Sequence, residues 1–330
     1  CLEYWNQVDL YIGGTEHATG HLLYSRFCTK FLHDRGYLTF DEPFKKLVNQ
    51  GMIQGESMLL EAKGIELHVP VNLANKDATL TADKFKELQT IDNRFEKLDL
   101  SDLVLENDVI QLKTQVEKMS KSKFNVVNPD DICEQYGADT LRLYEMFLGP
   151  LEDSKPWSTK GIDGTYRFLK KLWALHFDMD GNALWTDDKP SKDSMKTLHT
   201  TIKKITEDIN SMSLNTSVAQ FMICVNELGS QNCSSREVLE QLLILLNPFA
   251  PHITEELWNA MGNNGYIADA TWPEFDEKHL IESSKVYPIS INGKTRTNLE
   301  FPLDMSKEEI EKNVLADEIV QKWLDGKTPK

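Results

Sequence analysis

The most informative part of this sequence is the pentapeptide Lys118-Met119-Ser120-Lys121-Ser122. Two lysines three positions apart, with hydroxyl side chains between and beside them, can converge on a polyphosphate, because each ammonium is a compact, mobile charge. The alternative is a solvated lysine-rich loop. Chance would give this string in a chain of this length only about once in ten thousand sequences, so a function is favoured.

The residues around the pentapeptide place it between a strand and a helix. Val109-Ile110-Gln111-Leu112 has the composition of a strand, and Asn128-Pro129-Asp130 is typical of a helix start. Helices are predicted at Pro129–Gln135 and Ala138–Phe147, before Gly149-Pro150 ends them. Ordered elements are therefore expected on both sides of the loop.

The first 55 residues have the pattern of a nucleotide-binding sheet. A strand is predicted at 8–12, ended by Gly13-Gly14, and a helical pattern continues to Gly36. A second helix is predicted at Phe44–Asn49 and a short strand at Met52–Gln54. A strand, a glycine turn, a helix and a strand in this order predict a parallel, Rossmann-like sheet.

The middle of the chain changes character twice. Residues 56–115 carry twelve acidic and seven basic residues with weak periodicity, which predicts an insertion with a possible helix at Ala82–Leu88. From Gly161 to about Met261 apolar residues recur at helical spacing, which predicts a helix bundle. Its predicted helices are Tyr166–Phe177, Ser194–Met212, Thr216–Leu228, Arg236–Leu246 and a short one after Pro251-His252.

The end of the sequence predicts a small α+β unit. Val286–Ile291 and Thr295–Phe301 alternate in polarity and flank Asn292-Gly293, the strongest short signal for a hairpin. Two helices are predicted to follow, at Ser306–Val314 and Asp317–Leu324.

The composition excludes several classes of protein. The apolar runs are much shorter than the ~18–20 residues that span a bilayer, so no membrane anchor is expected. Five cysteines form no C-x-x-C pair, which argues against a zinc ribbon and favours a reducing cytoplasm. A net charge of −16 argues against non-specific coating of nucleic acid. The first residue is Cys1 rather than Met, so we expect a piece of a longer protein.

A second chemical motif follows the first predicted strand, in the segment Gly13-Gly14-Thr15-Glu16-His17-Ala18-Thr19-Gly20-His21. Glycines at a strand end let a nucleoside approach the backbone, and a nearby carboxylate can accept both hydroxyls of a ribose. The two glycines alone could equally form a tight turn. His17 and His21 have the i, i+4 spacing of a zinc pair, but a third ligand is missing, so no metal site is predicted.

Both motifs resemble those of one enzyme family. The pentapeptide resembles the KMSKS loop of class I aminoacyl-tRNA synthetases, and the segment from Gly13 to His21 resembles the G-G-x-E-H-A-x-x-H motif of leucyl-tRNA synthetases. The resemblance implies that Lys118 and Lys121 stabilise the pyrophosphate as ATP reacts with an amino acid carboxylate, and that Lys121 contacts ATP directly.

The resemblance implies further contacts with the nucleotide. Gly13 and Gly14 would line the adenosine site, and Glu16 would meet the ribose. The other residues implied near ATP or the adenylate, or in shaping the loop, are His17, His21, Met52, Ile53, Ser120 and Ser122. For Met52 and Ile53 a buried strand is the alternative. ATP is expected as its Mg²⁺ complex, with no tightly bound cofactor.

Two later stretches resemble the anticodon-binding bundle of the same family. Residues 166–173 are similar to its first helix, and residues 247–258 to its last helix junction. Contacts with RNA phosphates need exposed cations on a fixed element, although a solvated face is the alternative for each candidate. The candidates are Arg167, Lys170, Lys171, Lys294 and Arg296.

The expected fold is α/β plus all-α, with a small α+β module at the end. The resemblance implies ATP-dependent activation of leucine and its transfer to tRNA(Leu) in the cytoplasm. The expected divisions are the second half of a Rossmann-like catalytic domain (1–55), a leucine-specific-type insertion (56–115), the KMSKS loop with connecting helices (116–158), the helical bundle (159–280) and a tRNA-contacting module (284–330).

Some features of the family are missing from the sequence. It contains no H-I-G-H-like motif and no threonine-rich editing segment, so it resembles the C-terminal part of a leucyl-tRNA synthetase. A non-catalytic RNA-binding module and a methionyl, valyl or isoleucyl relative remain as alternatives. The E-H-A-x-x-H segment argues against those relatives.

We predict that this chain alone does not form an adenylate. One wall of the nucleotide pocket and the partner motif are expected elsewhere, and half a constellation cannot orient its substrates. Leucine-dependent exchange between pyrophosphate and ATP measures this, and measurable exchange by the purified chain would contradict the prediction.

Overall fold

The structure is a computed structural model that describes residues 2–75, 77–106, 109–280, 284–291, 293–302 and 305–324. Its first part is a small parallel unit. In chain order its elements are α1 (Leu2–Trp5), β1 (Val8–Gly14), α2 (Leu23–Asp34) and β2 (Phe44–Gln50). No residue of α2 is buried, and Tyr24, Phe27 and Phe31 are exposed, so packing on α2 contributes little to this unit.

The helix predicted at Phe44–Asn49 is wrong, because this segment is strand β2. It pairs in parallel with β1 from Val8 opposite Phe44 to Gly14 opposite Gln50. The apolar spacing of Phe44, Leu47 and Val48 imitates a helix, but hydrogen bonding to β1 satisfies the backbone and outweighs local periodicity. A parallel sheet with a strand, helix, strand order is confirmed, but its second strand is β2 and not the strand predicted at Met52–Gln54, which lies in a separate sheet.

The second part is built on one long strand. It contains β3 (Ile53–Ala62), β4 (Ile65–Val69), β5 (Thr79–Thr81), α3 (Ala82–Ile91), β6 (Leu105–Glu106), β7 (Val109–Gln111) and β8 (Lys113–Lys118). The strand predicted at Met52–Gln54 is thus the start of β3. β3 pairs antiparallel with β4 on one side and β8 on the other.

Residues 56–115 have a hydrophobic core of their own. A separate small sheet in the order β5, β7, β6 packs with α3, and the helix expected at Ala82–Leu88 is confirmed as α3. Thr81 caps α3 by accepting a hydrogen bond from the Lys84 backbone N–H. The largest fully buried side chains of this cluster are Leu60, Leu80, Phe85, Leu88, Phe95 and Ile110.

Two helices follow the KMSKS loop. They are α4 (Pro129–Tyr136) and α5 (Ala138–Phe147), and both helix predictions are confirmed. Asn128 caps α4, and Gly137 joins the helices with a φ of 89° that favours glycine. A short strand, β9 (Lys155–Pro156), then pairs in parallel with the start of β3.

The predicted helix bundle is confirmed. Its helices are α6 (Thr159–His176), α7 (Lys192–Ser211), α8 (Leu214–Ser230), α9 (Arg236–Leu246) and α10 (Pro251–Ala260). One large core joins them and includes Leu143 of α5, Leu172, Ile205, Phe221 and Leu242. Because α5 contributes to this core, the helices after the KMSKS loop are packed onto the bundle.

The last part contains the predicted hairpin and two helices. They are β10 (Ser284–Ile291), β11 (Lys294–Pro302), α11 (Lys307–Ala316) and α12 (Glu318–Leu324). Gly293 has the positive φ, 77°, that the turn requires, whereas Asn292 lies outside the described residues. Among the helices of the described ranges, none is long and apolar enough to cross a membrane.

A buried carboxylate attaches α5 to α10. Asp139 is 7% exposed and accepts hydrogen bonds from the backbone N–H groups of His252 (3.3 Å) and Ile253 (2.7 Å). The N-cap residue of α10, Ala250, provides no side-chain cap, so Asp139 satisfies these helix-end donors from 113 positions away in sequence. One turn along α5, Arg142 donates to the Pro248 carbonyl at 2.9 Å.

We predict that Asp139→Asn loosens the start of α10. The amide cannot accept both backbone N–H groups as a carboxylate does, and losing this cap should cost about 1–2 kcal/mol. The Ile253 amide should then exchange its hydrogen about 5–30-fold faster. Asp193→Asn, at an exposed position in the first turn of α7, is the control. Equal exchange rates in the two variants would contradict the prediction.

Candidate functional site

The KMSKS loop presents two free ammonium groups. Lys118 ends β8, Ser120 is extended, and residues Lys121–Lys123 form a single 3₁₀ turn. Lys118 and Lys121 are exposed, and within the described ranges neither side chain has a hydrogen-bond or ion-pair partner. Both charges are therefore available to a ligand. The Ser120 and Ser122 hydroxyls bond each other at 2.9 Å, which supports a loop-shaping role.

Asn125 binds the KMSKS loop on the side that faces β3. Its Oδ1 accepts from the Ser120 backbone N–H at 2.8 Å, and its Nδ2 donates to the Lys118 carbonyl at 3.4 Å. Nδ2 also donates to Ser57 Oγ on β3 at 2.9 Å. Asn125 and Ser57 are both buried. The side chain thus joins the two ends of the segment around Met119 and ties them to the sheet.

A glycine on β3 makes room for this arrangement. A Cβ atom added to Gly55 would lie 2.3 Å from the Asn125 carbonyl oxygen, closer than such contacts occur. Only glycine therefore lets the chain after the 3₁₀ turn pass this close to β3. Phe124 completes the turn in the left-handed conformation, with a φ of 54°.

A carboxylate at the end of β8 binds the third lysine of this segment. Glu117 forms an ion pair with Lys123, and its other oxygen lies 2.8 Å from His68 Nε2 on β4. The Lys123 ammonium, helped by the Ser57 hydroxyl and His68, lowers the pKa of Glu117 from 4.5 to about 2. Lys123 is thus neutralised, whereas Lys118 and Lys121 are not.

The motif after β1 has an unusual helix start. Residues Thr15–His17 form a 3₁₀ turn and Ala18–Leu22 a π turn before α2 begins, and π turns occur frequently at functional sites. Glu16 lies over Gly14, since a Cβ atom on Gly14 would be 2.1 Å from Glu16 Oε2. His21 stacks on Tyr11 with ring centroids 5.4 Å apart.

Gly14, Met52 and Lys118 are brought to one end of the two sheets. Gly14 lies opposite Gln50 in the parallel pair, and Lys118 lies opposite Gln54 in the antiparallel pair. Gln50 and Gln54 are only four residues apart, a span of at most about 14 Å. Glu16 and His17, which are exposed, follow directly after Gly14. The two sequence motifs therefore lie at the same end.

The backbone of Met52 already has partners within the chain. Its N–H donates to Ser154 Oγ at 3.2 Å, and its carbonyl accepts from the Lys155 N–H at 2.9 Å. An adenine at this position would have to share the Met52 groups or use those of Ile53. The adenine contacts of Met52 and Ile53 therefore stay a prediction.

His17 and His21 do not form part of a metal site in the described ranges. No group of three or more His, Cys, Asp or Glu side chains there is arranged to hold an ion. Both histidines are exposed. They lie in a 3₁₀ turn and a π turn, and the i, i+4 argument for a shared face applies to a regular α-helix.

The basic candidates on α6 share one exposed face. Arg167 Nε donates to the Asp163 carbonyl at 3.2 Å, and the Lys170 ammonium lies 4.3 Å from the Tyr166 ring centroid. Lys171 Nζ donates to Asn226 Oδ1 on α8 at 2.7 Å. These contacts fix the side chains without neutralising their charges, so the face remains positive.

The two candidates on the closing hairpin differ. Lys294 is exposed, but the Arg296 guanidinium lies 3.7 Å from the centre of the Trp323 ring on α12. Its Nε is buried without a partner among the described residues. Arg296 therefore fastens α12 to the hairpin, and a contact with RNA would be limited to its terminal nitrogens.

Sequence reasoning missed the residues that support the loop. No sequence motif marks these residues, which are Gly55, Ser57, Glu117 and Asn125. Ser57 and Asn125 are 68 positions apart in sequence. Lys123 is the only one with a visible signal, its position directly beside the pentapeptide. Strand pairing between β3 and β8 brings them together.

Comparison with known proteins identifies two family profiles. The profile described as the anticodon-binding domain of tRNA ligase matches residues 192–312. The profile described as class I tRNA synthetases (I, L, M and V) matches residues 102–155, which include the KMSKS loop. The expected fold class, a class I catalytic fold with a helical anticodon-binding domain, is confirmed.

Several curated proteins are similar to nearly the whole chain. Leucine–tRNA ligases of Christiangramia forsetii, Flavobacterium psychrophilum and Cytophaga hutchinsonii are 56%, 53% and 52% identical to this chain. The matches cover 99–100% of the chain and 35–37% of the relatives. The chain therefore spans about a third of the length of the curated relatives it matches.

A solved structure agrees with these matches. It is the Agrobacterium radiobacter K84 agnB2 LeuRS–tRNA–LeuAMS ternary complex, which is similar with a TM-score of 0.58 at 28% identity. The match covers 98% of this chain and 36% of that one. The arrangement of elements from β1 to α12 is thus one that occurs in a solved synthetase.

We predict that Glu117→Gln destabilises the chain by about 1.5–3 kcal/mol near neutral pH, because Lys123 and His68 lose a charged acceptor. The folded-state pKa of Glu117 lies below its ordinary value, so its contribution is complete above pH 4.5 and disappears as the pH falls toward 2. The difference between wild type and variant in urea unfolding should shrink over this range.

The matched control is Glu56→Gln, on the neighbouring strand β3, whose side chain is exposed and has no ion pair in the described part of the chain. We expect a small difference for this variant. A Glu117→Gln difference that stays constant from pH 7 to pH 2 would show that the ion pair with Lys123 does not stabilise the fold.

Proposed function

We propose, from the premise that the chain belongs to the leucine–tRNA ligase family, that the intact protein activates leucine with ATP and transfers it to tRNA(Leu). The observation that carries this is the pair of exposed, unpaired ammonium groups of Lys118 and Lys121 on a braced loop. The names of the relatives do not favour a non-catalytic RNA-binding module or a methionyl, valyl or isoleucyl enzyme.

In the first step a carboxylate oxygen of leucine attacks the α-phosphorus of ATP. The bond from that phosphorus to the oxygen bridging to the β-phosphate breaks, and pyrophosphate leaves with the electron pair. Negative charge therefore grows on the leaving group, where Lys118 and Lys121 would stabilise it. ATP would enter as its Mg²⁺ complex, whose ion belongs to the substrate.

The motif after β1 would hold the nucleoside. Gly13 and Gly14 have no side chain to keep a ribose from the backbone, and Glu16 would accept its hydroxyls. His17 and His21 would lie beside the adenylate, and Ile53 would offer backbone groups to adenine. The shared end of β1 and β8 supports this assignment.

In the second step a hydroxyl of the terminal tRNA ribose attacks the adenylate carbonyl, and AMP leaves. The basic face of α6 would contact the tRNA through Arg167, Lys170 and Lys171, with Lys294 as a further contact. The ternary complex of the A. radiobacter relative contains tRNA, which supports an RNA partner for this chain. We place the intact protein in the cytoplasm.

The domain divisions remain part of the proposal. Residues 1–55 and 116–158 would form the nucleotide site, 56–115 an insertion between them, 159–280 the tRNA-binding bundle and 284–330 a further tRNA-contacting module. The independent hydrophobic clusters of the insertion and the bundle support the separation. β3 crosses from the first division into the second without a break.

We predict that leucine, and not methionine, valine or isoleucine, drives ATP–pyrophosphate exchange by the intact protein.

We predict that Lys121→Ala lowers kcat of the leucine-dependent exchange about 10²–10³-fold. KM for leucine should change little, because Lys121 acts on the leaving group. Lys97→Ala, an exposed lysine of the insertion, is the control. Exchange by Lys121→Ala within a few-fold of wild type would rule out this role.

We also predict that replacing Arg167, Lys170 and Lys171 together by Ala weakens tRNA binding by the intact protein and flattens its salt dependence. Each lost phosphate contact should reduce the slope of log K against log salt by about one unit. Leucine activation should be spared, because these residues lie on the bundle. An unchanged slope would place the tRNA contacts on another surface.

A further inference from the structure

We propose that Asn125 is a positioning residue that sets the arrangement of Lys118 and Lys121 for pyrophosphate release. The inference rests on the proposed function and adds a residue to it. Asn125 lies outside the pentapeptide, in the described loop that leads from the 3₁₀ turn to α4. It would act through the lysines, without touching ATP.

Both side-chain N–H groups of Asn125 donate hydrogen bonds, one to the loop and one to β3 beneath it. One side-chain N–H binds the Lys118 carbonyl, the other binds Ser57 Oγ, and the carbonyl oxygen accepts from the Ser120 N–H. The first and last of these contacts lie on the two sides of Met119. The backbone from Lys118 to Ser120, which leads toward Lys121, is therefore held on both sides of Met119.

The floor beneath this side chain is rigid. Ser57 is fully buried, Asn125 is 4% exposed, and Gly55 permits the backbone of Asn125 to lie directly against β3. Displacement of the amide would break these hydrogen bonds and deprive the buried Ser57 Oγ of its donor, so the observed arrangement is favoured. The backbone from Lys118 to Ser120 is thereby held against β3.

The charge pattern fits this division of tasks. Lys123, just beyond the 3₁₀ turn, is bound to Glu117 and cannot reach a phosphate without breaking that pair. Lys118 and Lys121 are unbound, so only their spacing remains to be determined. Asn125 supplies contacts that determine this spacing, whereas in the described part of the chain the side-chain hydroxyls of Ser120 and Ser122 bond only each other.

A double-mutant cycle in the intact protein separates positioning from general support of the fold. Asn125→Ala should lower kcat of leucine-dependent exchange about 10- to 100-fold, with KM for ATP and leucine changed only a few-fold. In a Lys121→Ala background the same substitution should cost several-fold less than in wild type, because one of the two lysines through which Asn125 acts is already gone. Effects that multiply in the double variant would overturn the proposal.

The matched control is Asn128→Ala, three residues further on. Asn128 caps α4 by accepting from the Asp130 N–H at 3.2 Å, donates to Asp131 Oδ1, and forms no hydrogen bond with the pentapeptide in the described ranges. This variant should be destabilised to a similar degree and yet exchange at nearly the wild-type rate. A comparable loss of kcat in both variants would show that Asn125 only supports the fold.

Asn125→Asp keeps the test decisive if the alanine variant does not fold. A carboxylate still accepts from the Ser120 N–H, but it cannot donate to Ser57 Oγ and it repels the Lys118 carbonyl. Its kcat should fall as for alanine, and wild-type kcat would overturn the proposal. If wild type shows no leucine-dependent exchange, the proposed function fails and this inference with it; if only the Asn125 variants behave like wild type, only the inference fails.

Discussion

The pairing of β3 with β8 is the constraint on which the candidate site depends. β3 receives the chain from the parallel unit, and β8 delivers Lys118 opposite Gln54. The same pairing places Gly55 and Ser57 beneath the loop. β3 therefore both continues the chain from the parallel unit and forms the surface on which the KMSKS loop packs. A shift of register by one residue would turn Ser57 to the opposite face and remove it from that surface.

Charge is distributed so that Lys118 and Lys121, the proposed catalytic lysines, remain free of ion pairs in the described ranges. With 52 acidic and 36 basic side chains, most cations in this protein can find a carboxylate, and many do, as Lys123 does with Glu117. Lys118 and Lys121 have no such partner in the described ranges. Because Glu117 neutralises Lys123, the positive potential at the loop comes from Lys118 and Lys121.

The sequence allowed the chemistry and the long helices to be predicted, because both depend on local signals. The pentapeptide is contiguous, and α5 and α9 have strong apolar periodicity and clear ends. The helix predicted at Phe44–Asn49 is wrong, since the apolar spacing of this segment fits a helix while its partner strand is 36 positions away. Asn125 could not be recognised for the same reason: its contact with Ser57 exists only after β3 and β8 pair.

The most direct test of the account is a crystal structure of the intact protein with ATP and leucinol, which lacks the attacking carboxylate. The account predicts the Nζ atoms of Lys118 and Lys121 about 2.7–2.9 Å from oxygens of the β- and γ-phosphates, with Asn125 still bound to the loop. Phosphates held elsewhere, with both ammonium groups in solvent, would contradict it.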